Sequence, residues 1–474
     1  MLKTEKKVFW FIVGSQHLYG PEALKQVEDQ AKAMTESLKN EADLPYPLEY
    51  KALVTTAEEI KEVMKEANYR DEVAGIVTWM HTFSPAKLWI PGTKLLQKPL
   101  LHLATQYHKE IPWDSIDMDF MNLNQSAHGD REYGFLNARL RLNNKIVVGH
   151  YKDSEVHKEV SDWMLSAIGF VESQNIKVAR FGDNMRNVGV TEGDKVEAAI
   201  QFGWTVDYFG IGDLVAEMEN VTEKEIQATY DECTSLYEMD HGDNDPDFFK
   251  EHVKEQIKIE IGLRKFLEAG GYTAFTTNFE DLHGMKQLPG MAVQRLNAEG
   301  YGFAGEGDWK TAALDRLLKV MANNVSTGFM EDYTYNMTKG NEYIVQSHML
   351  EVDPTLAATK PRVVVNPLGI GDKEDPARLV FDGKAGEGLT VSMLDMGTHY
   401  RLMINTFTAE TPTEPAPKLP VARVIWKPNP DFKTSIKKWI EAGGGHHTVA
   451  TLALSLDIIL DWARLVDIET VVID

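Results

Sequence analysis

Carboxylates and imidazoles recur in the second half of the chain in segments that could converge on one ligand. Glu306 and Asp308 lie in Gly305-Glu306-Gly307-Asp308-Trp309-Lys310, Glu331 follows Gly328-Phe329-Met330, and His348 and Glu351 share His348-Met349-Leu350-Glu351. His446 and His447 come directly after Gly443-Gly444-Gly445, where missing side chains let the backbone approach a ligand closely. Two Glu oxygens and two His nitrogens suit a divalent transition metal with water positions left open. Such a set fits Mn²⁺ or Co²⁺ better than structural zinc, which prefers four closed Cys/His positions. Taken singly, these residues decide nothing. Glu306 serves equally well as a cap for a helix beginning near Trp309, and Glu331 reads as one more exposed acid. His348 reads as a half-buried, hydrogen-bonded histidine, and the His446-His447 pair as the end of a loop. Because the residues are far apart in the chain, spacing alone leaves a shared Glu/His site open.

Other chemistries are excluded. Gly300-Tyr301-Gly302-Phe303-Ala304-Gly305 matches G-x-G-x-x-G, but a dinucleotide fingerprint must follow a strand and open a helix. Here the preceding Ala292–Asn297 reads as helix, and Glu306 and Asp308 put negative charge where a pyrophosphate would sit, so no nucleotide is expected. No P-loop, H-E-x-x-H or G-x-S-x-G is present, and the acidic stretch Asp240–Asp247 lacks the central Gly and distal Glu of a calcium loop. A net charge of −23 argues against nucleic acid, anionic membrane surfaces and phosphorylated substrates. Cys233 is the sole cysteine, so no internal disulfide forms, which fits a reducing compartment. The apolar run Val8–Val13 is too short for a signal-peptide core and no later stretch could span a bilayer, so a cytoplasmic protein is expected.

The elements that must position these groups follow from hydrophobic period. A chain of 474 residues is too long for one core, so two or three domains are expected. Val8–Val13 reads as a strand covered on both faces, and Pro21 opens a helix with Leu24, Val27, Ala31, Met34 and Leu38 on one side. A helix at Ala57–Ala67 and strands at Ala74–Trp79 and Leu100–Ala104 continue a β/α rhythm that indicates a parallel sheet. A helix near Ser154–Ile168 ends this first domain, residues 1–172. A second α/β domain, 173–326, has strands at Ile176–Phe181, Trp204–Phe209 and Tyr272–Thr276. Its helices are one capped by Thr222 with Glu225 three residues on, and one near Asp247–Glu268 stopped by Gly270-Gly271. From 327 to 474 the texture is β-rich, with runs at Arg362–Val365, Leu379–Phe381, Leu389–Met393, Tyr400–Phe407 and Val421–Trp426. These predict an antiparallel sheet or small barrel, closed by a helix over Thr448–Leu465.

Four of these segments, and the chain along its entire length, resemble the L-arabinose isomerases. The segments are Phe11-Ile-Val-Gly-Ser-Gln16-His-Leu18-Tyr19-Gly, Gly305-Glu306-Gly-Asp308-Trp-Lys-Thr-Ala-Ala, His348-Met-Leu-Glu351-Val-Asp-Pro and Gly443-Gly-Gly-His446-His447-Thr. The resemblance implies two Rossmann-like α/β domains without a nucleotide, followed by a β-barrel domain. It implies a metal, usually Mn²⁺, held by Glu306, Glu331, His348 and His447, with Co²⁺ as a possible substitute. It implies a sugar pocket lined by Gln16, Leu18, Tyr19, Phe83, Gln125, His128, Met185, Phe279, Phe329, Ile370 and His446, with Asp308 and Glu351 in support. A homohexamer is implied as well, each active site completed by a neighbouring subunit.

The chemistry expected of such residues is aldose–ketose isomerisation, L-arabinose to L-ribulose, with D-galactose to D-tagatose as a slower reaction. A base must take the C2 proton and an acid deliver it at C1, a task suited to Glu306 and Glu331, while a metal polarises the carbonyl. Which glutamate is the base stays open, and a metal-assisted hydride shift is the alternative route. A metal-dependent aldolase or hydrolase on the same ligands would release fragments or consume water. A sugar-binding protein would bind without turnover.

Overall fold

The computed structural model of the chain describes Leu2 and residues 6–474. Its contacts divide into two units, one of residues 6–171 joined by 457–465, the other of 172–456 joined by 466–474 and Leu2.

The first unit is built on β1 (Val8–Gly14), β2 (Leu48–Val54), β3 (Val73–Trp79), β4 (Leu100–Ala104) and β5 (Lys145–Val148). All pair in parallel, in the order β2-β1-β3-β4-β5. Every residue of β3 is buried, which is why it reads as an unbroken apolar run rather than an alternating one. The helix Gly20–Glu41 buries Val27, Ala31, Met34 and Leu38, the stripe its spacing predicts. The helix Ala57–Tyr69 begins at a reciprocal Thr56–Glu59 cap.

The second unit opens with β6 (Lys177–Phe181), β7 (Thr205–Phe209), β8 (Glu238–Met239), β9 (Ala274–Thr277) and β10 (Gly302–Ala304). Four of them form a parallel sheet in the order β10-β9-β6-β7. The cap of Thr222 with Glu225 is present, and the helix Pro246–Gly270 stops at Gly271 in the left-handed region, as expected.

Next come β11 (Thr327–Asn336), β12 (Tyr343–Ser347), β13 (Arg362–Val365) and β14 (Ala377–Val380). They are followed by β15 (Gly386–Asp395), β16 (Tyr400–Glu410), β17 (Val424–Pro428), β18 (His447–Thr451) and β19 (Glu469–Ile473). Six of these close into an antiparallel barrel, β11-β12-β17-β16-β15-β18 and back to β11. Closure removes the free edges that an open sheet would expose. β13 instead pairs with β14 and β8, and β19 runs parallel to β16.

One expectation is corrected. Thr448–Leu465 is not a single helix: His447–Thr451 is the strand β18, and the helix spans only Leu456–Leu465. All five residues of β18 are buried, and Thr448, Val449 and Thr451 are β-branched, which suits a strand between β11 and β15. The apolar spacing from Val449 to Ala453 imitated a helical stripe because a wholly buried strand carries no alternation to reveal it.

The first unit also holds a buried, uncharged histidine. His81 is 0% exposed, stacks on Trp79 with ring centroids 4.3 Å apart, and hydrogen-bonds Gln30 through Nε2. Burial pushes its pKa down to about 3, below the ordinary 6.5 that it regains on unfolding. The stabilising effect of keeping it neutral is therefore complete above pH 6.5 and is lost as pH falls toward 3, at about 1.4 kcal/mol per pH unit. Thermal unfolding scans from pH 7 to 4.5 should show a steeper loss of Tm for the wild type than for His81→Asn. Parallel curves would show that His81 is not the group responsible.

Candidate active site

Strand register gathers the first three groups. Glu331 on β11 stands opposite His447 on β18 and opposite Ser347 on β12, so the antiparallel pairing alone sets a carboxylate beside an imidazole on one face. His348 follows directly where β12 ends, and its Nε2 lies 4.0 Å from Glu331 Oε2.

Glu306 arrives from the parallel sheet of the unit, on the turn after β10. It holds a left-handed backbone (φ 62°), uncommon for a residue with a side chain, between Gly305 and Gly307 (φ 77°). Each glycine has a separate steric reason. A Cβ on Gly305 would lie 3.0 Å from His348 Cε1, and one on Gly307 only 2.5 Å from the Asp183 carbonyl oxygen. The G-x-G-x-x-G match thus ends in a turn shaped to present a carboxylate. Glu306 Oε2 lies 3.6 Å from His447 Nε2 and 3.7 Å from His446 Nε2, while His446 Nε2 is 3.9 Å from Glu331 Oε1.

Behind the imidazoles stand two further carboxylates, both buried. His447 Nδ1 bonds Asp308 Oδ2 at 3.0 Å, and His348 Nδ1 bonds Glu351 Oε2. An ionised carboxylate only accepts, so each Nδ1 must donate, which leaves the Nε2 lone pair facing inward. Asp308, rather than Glu306, caps the helix Trp309–Met321, accepting from Thr311 N at 3.2 Å and Thr311 Oγ1 at 2.7 Å.

The electrostatics are consistent with this arrangement. Burial raises the proton affinity of Glu306, but the neighbouring imidazoles of His446, His447 and His348 outweigh it and hold the carboxyl below its ordinary range. Burial disfavours a charged His348, yet Glu351, Glu331 and Glu306 together raise its pKa. For His446 the adjacent Glu306 carboxylate is the main cause of an upward shift.

Glu306 Oε2 and His447 Nε2 are both buried, and neither has a hydrogen-bond partner among the described residues. Two orphaned acceptors are costly in a dry site unless something else binds them. Glu306, His446 and His447 each offer a ligand atom within 4.8 Å of the others, a spacing that can hold a metal ion. Mixed O/N donors, with imidazoles oriented by carboxylates, fit a divalent transition ion.

The residues expected to line a sugar pocket fall on both units. In the second, Met185 N donates to the Glu306 carbonyl at 2.9 Å, and the Phe279 ring lies parallel to His348 at 6.1 Å. Phe329, fully buried, packs its ring 4.9 Å from His348 and 5.2 Å from His447, and Ile370 is exposed. In the first, Gln16, Leu18 and Tyr19 follow the C-terminal end of β1. Phe83 stacks on His128 at 4.3 Å, and Gln125 N donates to the His81 carbonyl at 3.0 Å. His446, expected at the sugar pocket, has its Nε2 between both glutamates. The sequence pattern does not mark Lys310, whose Nζ lies 2.9 Å from Asp308 Oδ1.

Gly305→Ala should displace the His348 ring by a few tenths of an ångström, since Phe329 and Glu351 confine it on other sides. Divalent-ion affinity measured by calorimetric titration should fall about tenfold with circular dichroism unchanged. Unaltered affinity would mean that close packing of Gly305 on His348 has no bearing on the site.

Family models agree along the chain. Residues 3–175 match the L-arabinose isomerase N-terminal domain, 177–324 the central domain and 326–469 the C-terminal domain. The chain is 70% identical over 474 residues to L-arabinose isomerase 1 of Clostridium acetobutylicum, covering 100% of this chain and 97% of that relative. It is 65% identical over 473 residues to L-arabinose isomerase 2 of Bacillus licheniformis and 63% identical over 473 residues to L-arabinose isomerase of Oceanobacillus iheyensis, with 100% of each chain covered. With three domain models end to end and identities this high over the full length, the chain belongs to the L-arabinose isomerase family and is an isomerase, an intramolecular oxidoreductase.

Proposed function

We propose that the chain converts L-arabinose to L-ribulose, within L-arabinose catabolism, by moving a proton between C2 and C1 of the sugar at the Glu306–Glu331–His348–His447 cluster. The observation that carries this reading is the pair of buried, unpartnered atoms Glu306 Oε2 and His447 Nε2, 3.6 Å apart, which call for a ligand between them. Glu306, Glu331, His348 and His447 are the residues that would hold Mn²⁺, or Co²⁺ in its place. When bound, the ion supplies Lewis acidity toward the carbonyl and hydroxyl oxygens of the sugar.

The chain's own residues do the rest. Glu306 and Glu331 act as the acid/base pair, one accepting the C2 proton and the other delivering a proton at C1, while the O2 hydroxyl proton passes to O1 as an enediol forms and collapses and exchange with water resets both carboxyls. His446, with Nε2 at 3.7 and 3.9 Å from the two carboxylates, can hydrogen-bond whichever is ionised at a given step. Asp308 and Glu351 fix the tautomer of the two imidazoles behind it. Met185, Phe279, Phe329, Ile370 and His446 form the part of the sugar pocket carried by the second unit. Gln16, Leu18, Tyr19, Phe83, Gln125 and His128 form a part at the strand ends of the first unit, the usual place for ligands on a parallel sheet.

We place the protein in the cytoplasm as a homohexamer whose neighbouring subunits complete each pocket; the 84% exposure of Leu18, an apolar side chain, supports such cover. A division into domains at 1–172, 173–326 and 327–474 is part of the same reading. D-galactose, which shares the stereochemistry at the reacting end, is the secondary substrate and gives D-tagatose.

The test is incubation of chelator-treated protein with L-arabinose, with and without Mn²⁺, assayed for L-ribulose. Product should form only with the ion, and Glu306→Gln or Glu331→Gln should each lower kcat by about 10²–10⁴-fold. In D₂O, deuterium should appear at C1 of the product. Its complete absence would replace the enediol with a hydride shift, and no ribulose under any condition would end the reading.

A further inference from the structure

The helix Trp309–Met321 is buried at every position, including Lys310, whose side chain is 0% exposed. Lysine rarely enters a core without a task, because desolvating an ammonium is costly unless partners compensate. Lys310 has two partners. Its Nζ donates to the Val190 carbonyl at 2.9 Å and to Asp308 Oδ1 at 2.9 Å.

The second contact matters for the site. Asp308 divides its oxygens: Oδ1 takes Lys310 and the Thr311 backbone N–H, whereas Oδ2 takes the Thr311 hydroxyl and His447 Nδ1. Four donors hold one carboxylate in one plane, and the orientation of that plane aims the His447 ring. Without Lys310, Oδ1 keeps only the 3.2 Å contact to a backbone N–H, and the plane is free to turn. The fold also reserves room for this lysine. A Cβ on Gly193 would lie 2.6 Å from Lys310 Cδ and 3.2 Å from Cγ, so the glycine admits the stem.

We propose that Lys310 is a positioning residue for the metal centre, acting through Asp308 on the orientation of His447. The other imidazole has no equivalent ammonium: Glu351 receives His348 Nδ1 and the Leu350 N–H, and among the described residues no cation hydrogen-bonds it, Arg378 acting on it only electrostatically. The two ligand arms are therefore built differently, and the His447 arm is the one whose carboxylate is hydrogen-bonded by an ammonium. This inference rests on the metal reading above and adds a residue to it.

The alternative is that Lys310 only ties the helix to the turn at Val190. A double-mutant cycle separates the two. Mn²⁺ would be titrated calorimetrically into the metal-free full-length wild type, Lys310→Met, Asp308→Asn and the double variant, with thermal unfolding of each metal-free form recorded alongside. Lys310→Met should weaken Mn²⁺ binding about 10- to 100-fold. The double variant should bind no more than about twofold more weakly than Asp308→Asn alone, because the lysine has nothing left to act through. Wild-type affinity in Lys310→Met, or losses that multiply in the double variant, would overturn the proposal. If Lys310→Met does not fold, Gly193→Ala, which crowds the stem from outside, should weaken Mn²⁺ several-fold, and undiminished affinity there overturns it equally. Absence of saturable Mn²⁺ binding by the wild type would instead remove the metal reading, and this proposal with it.

Discussion

Crowded negative charge is what the second unit has to manage. Glu306, Glu331, Asp308 and Glu351 gather round three imidazoles, with side-chain exposures of 16%, 21%, 2% and 0%. Carboxylates so close in a poorly hydrated region repel one another unless each faces a donor or a cation. Asp308 has Lys310, Thr311 and His447; Glu351 has His348 and a backbone N–H; Glu306 has His446. What those contacts leave unmet, Glu306 Oε2 and His447 Nε2, points inward.

Such a balance needs atoms fixed to a few tenths of an ångström, and the barrel provides this. β11 is paired on both sides, to β12 and to β18, so Glu331 cannot shift without breaking two ladders. The same closure holds His447 in a strand whose five residues are all buried. Glu306 relies on different means, a left-handed turn between glycines at the start of a wholly buried helix. Rigid strands thus bring one half of the cluster and a strained turn brings the other.

The parallel sheets were legible because their strands are buried on both faces and their helices carry stripes at helical spacing, as in Gly20–Glu41. Caps such as Thr222–Glu225 and the stop at Gly271 were legible for the same local reason. The barrel was harder. β11 is half exposed and contains Glu331, Asp332 and Asn336, so it lacks an apolar run, and β18 lacks alternation. In the site, residue types and motif resemblance marked the carboxylates and imidazoles. The left-handed Glu306, the position of His446 between two glutamates and the buried ammonium of Lys310 depend on contacts across the unit that no local pattern encodes.

The helix Leu456–Leu465 lies almost at the C-terminus, yet residues 457–465 belong with the first sheet, where Asp461 pairs with Lys145 at 2.8 Å and the Ile458 carbonyl accepts from Ser166 Oγ. After it the chain returns to lay β19 beside β16. During synthesis, then, the unit that emerges from the ribosome first must wait for residues 457–465, which are made only after every barrel strand through β18. Its early form keeps an apolar flank and the Lys145 ammonium in solvent until the barrel has been translated, and a prematurely ended chain would leave both units unfinished.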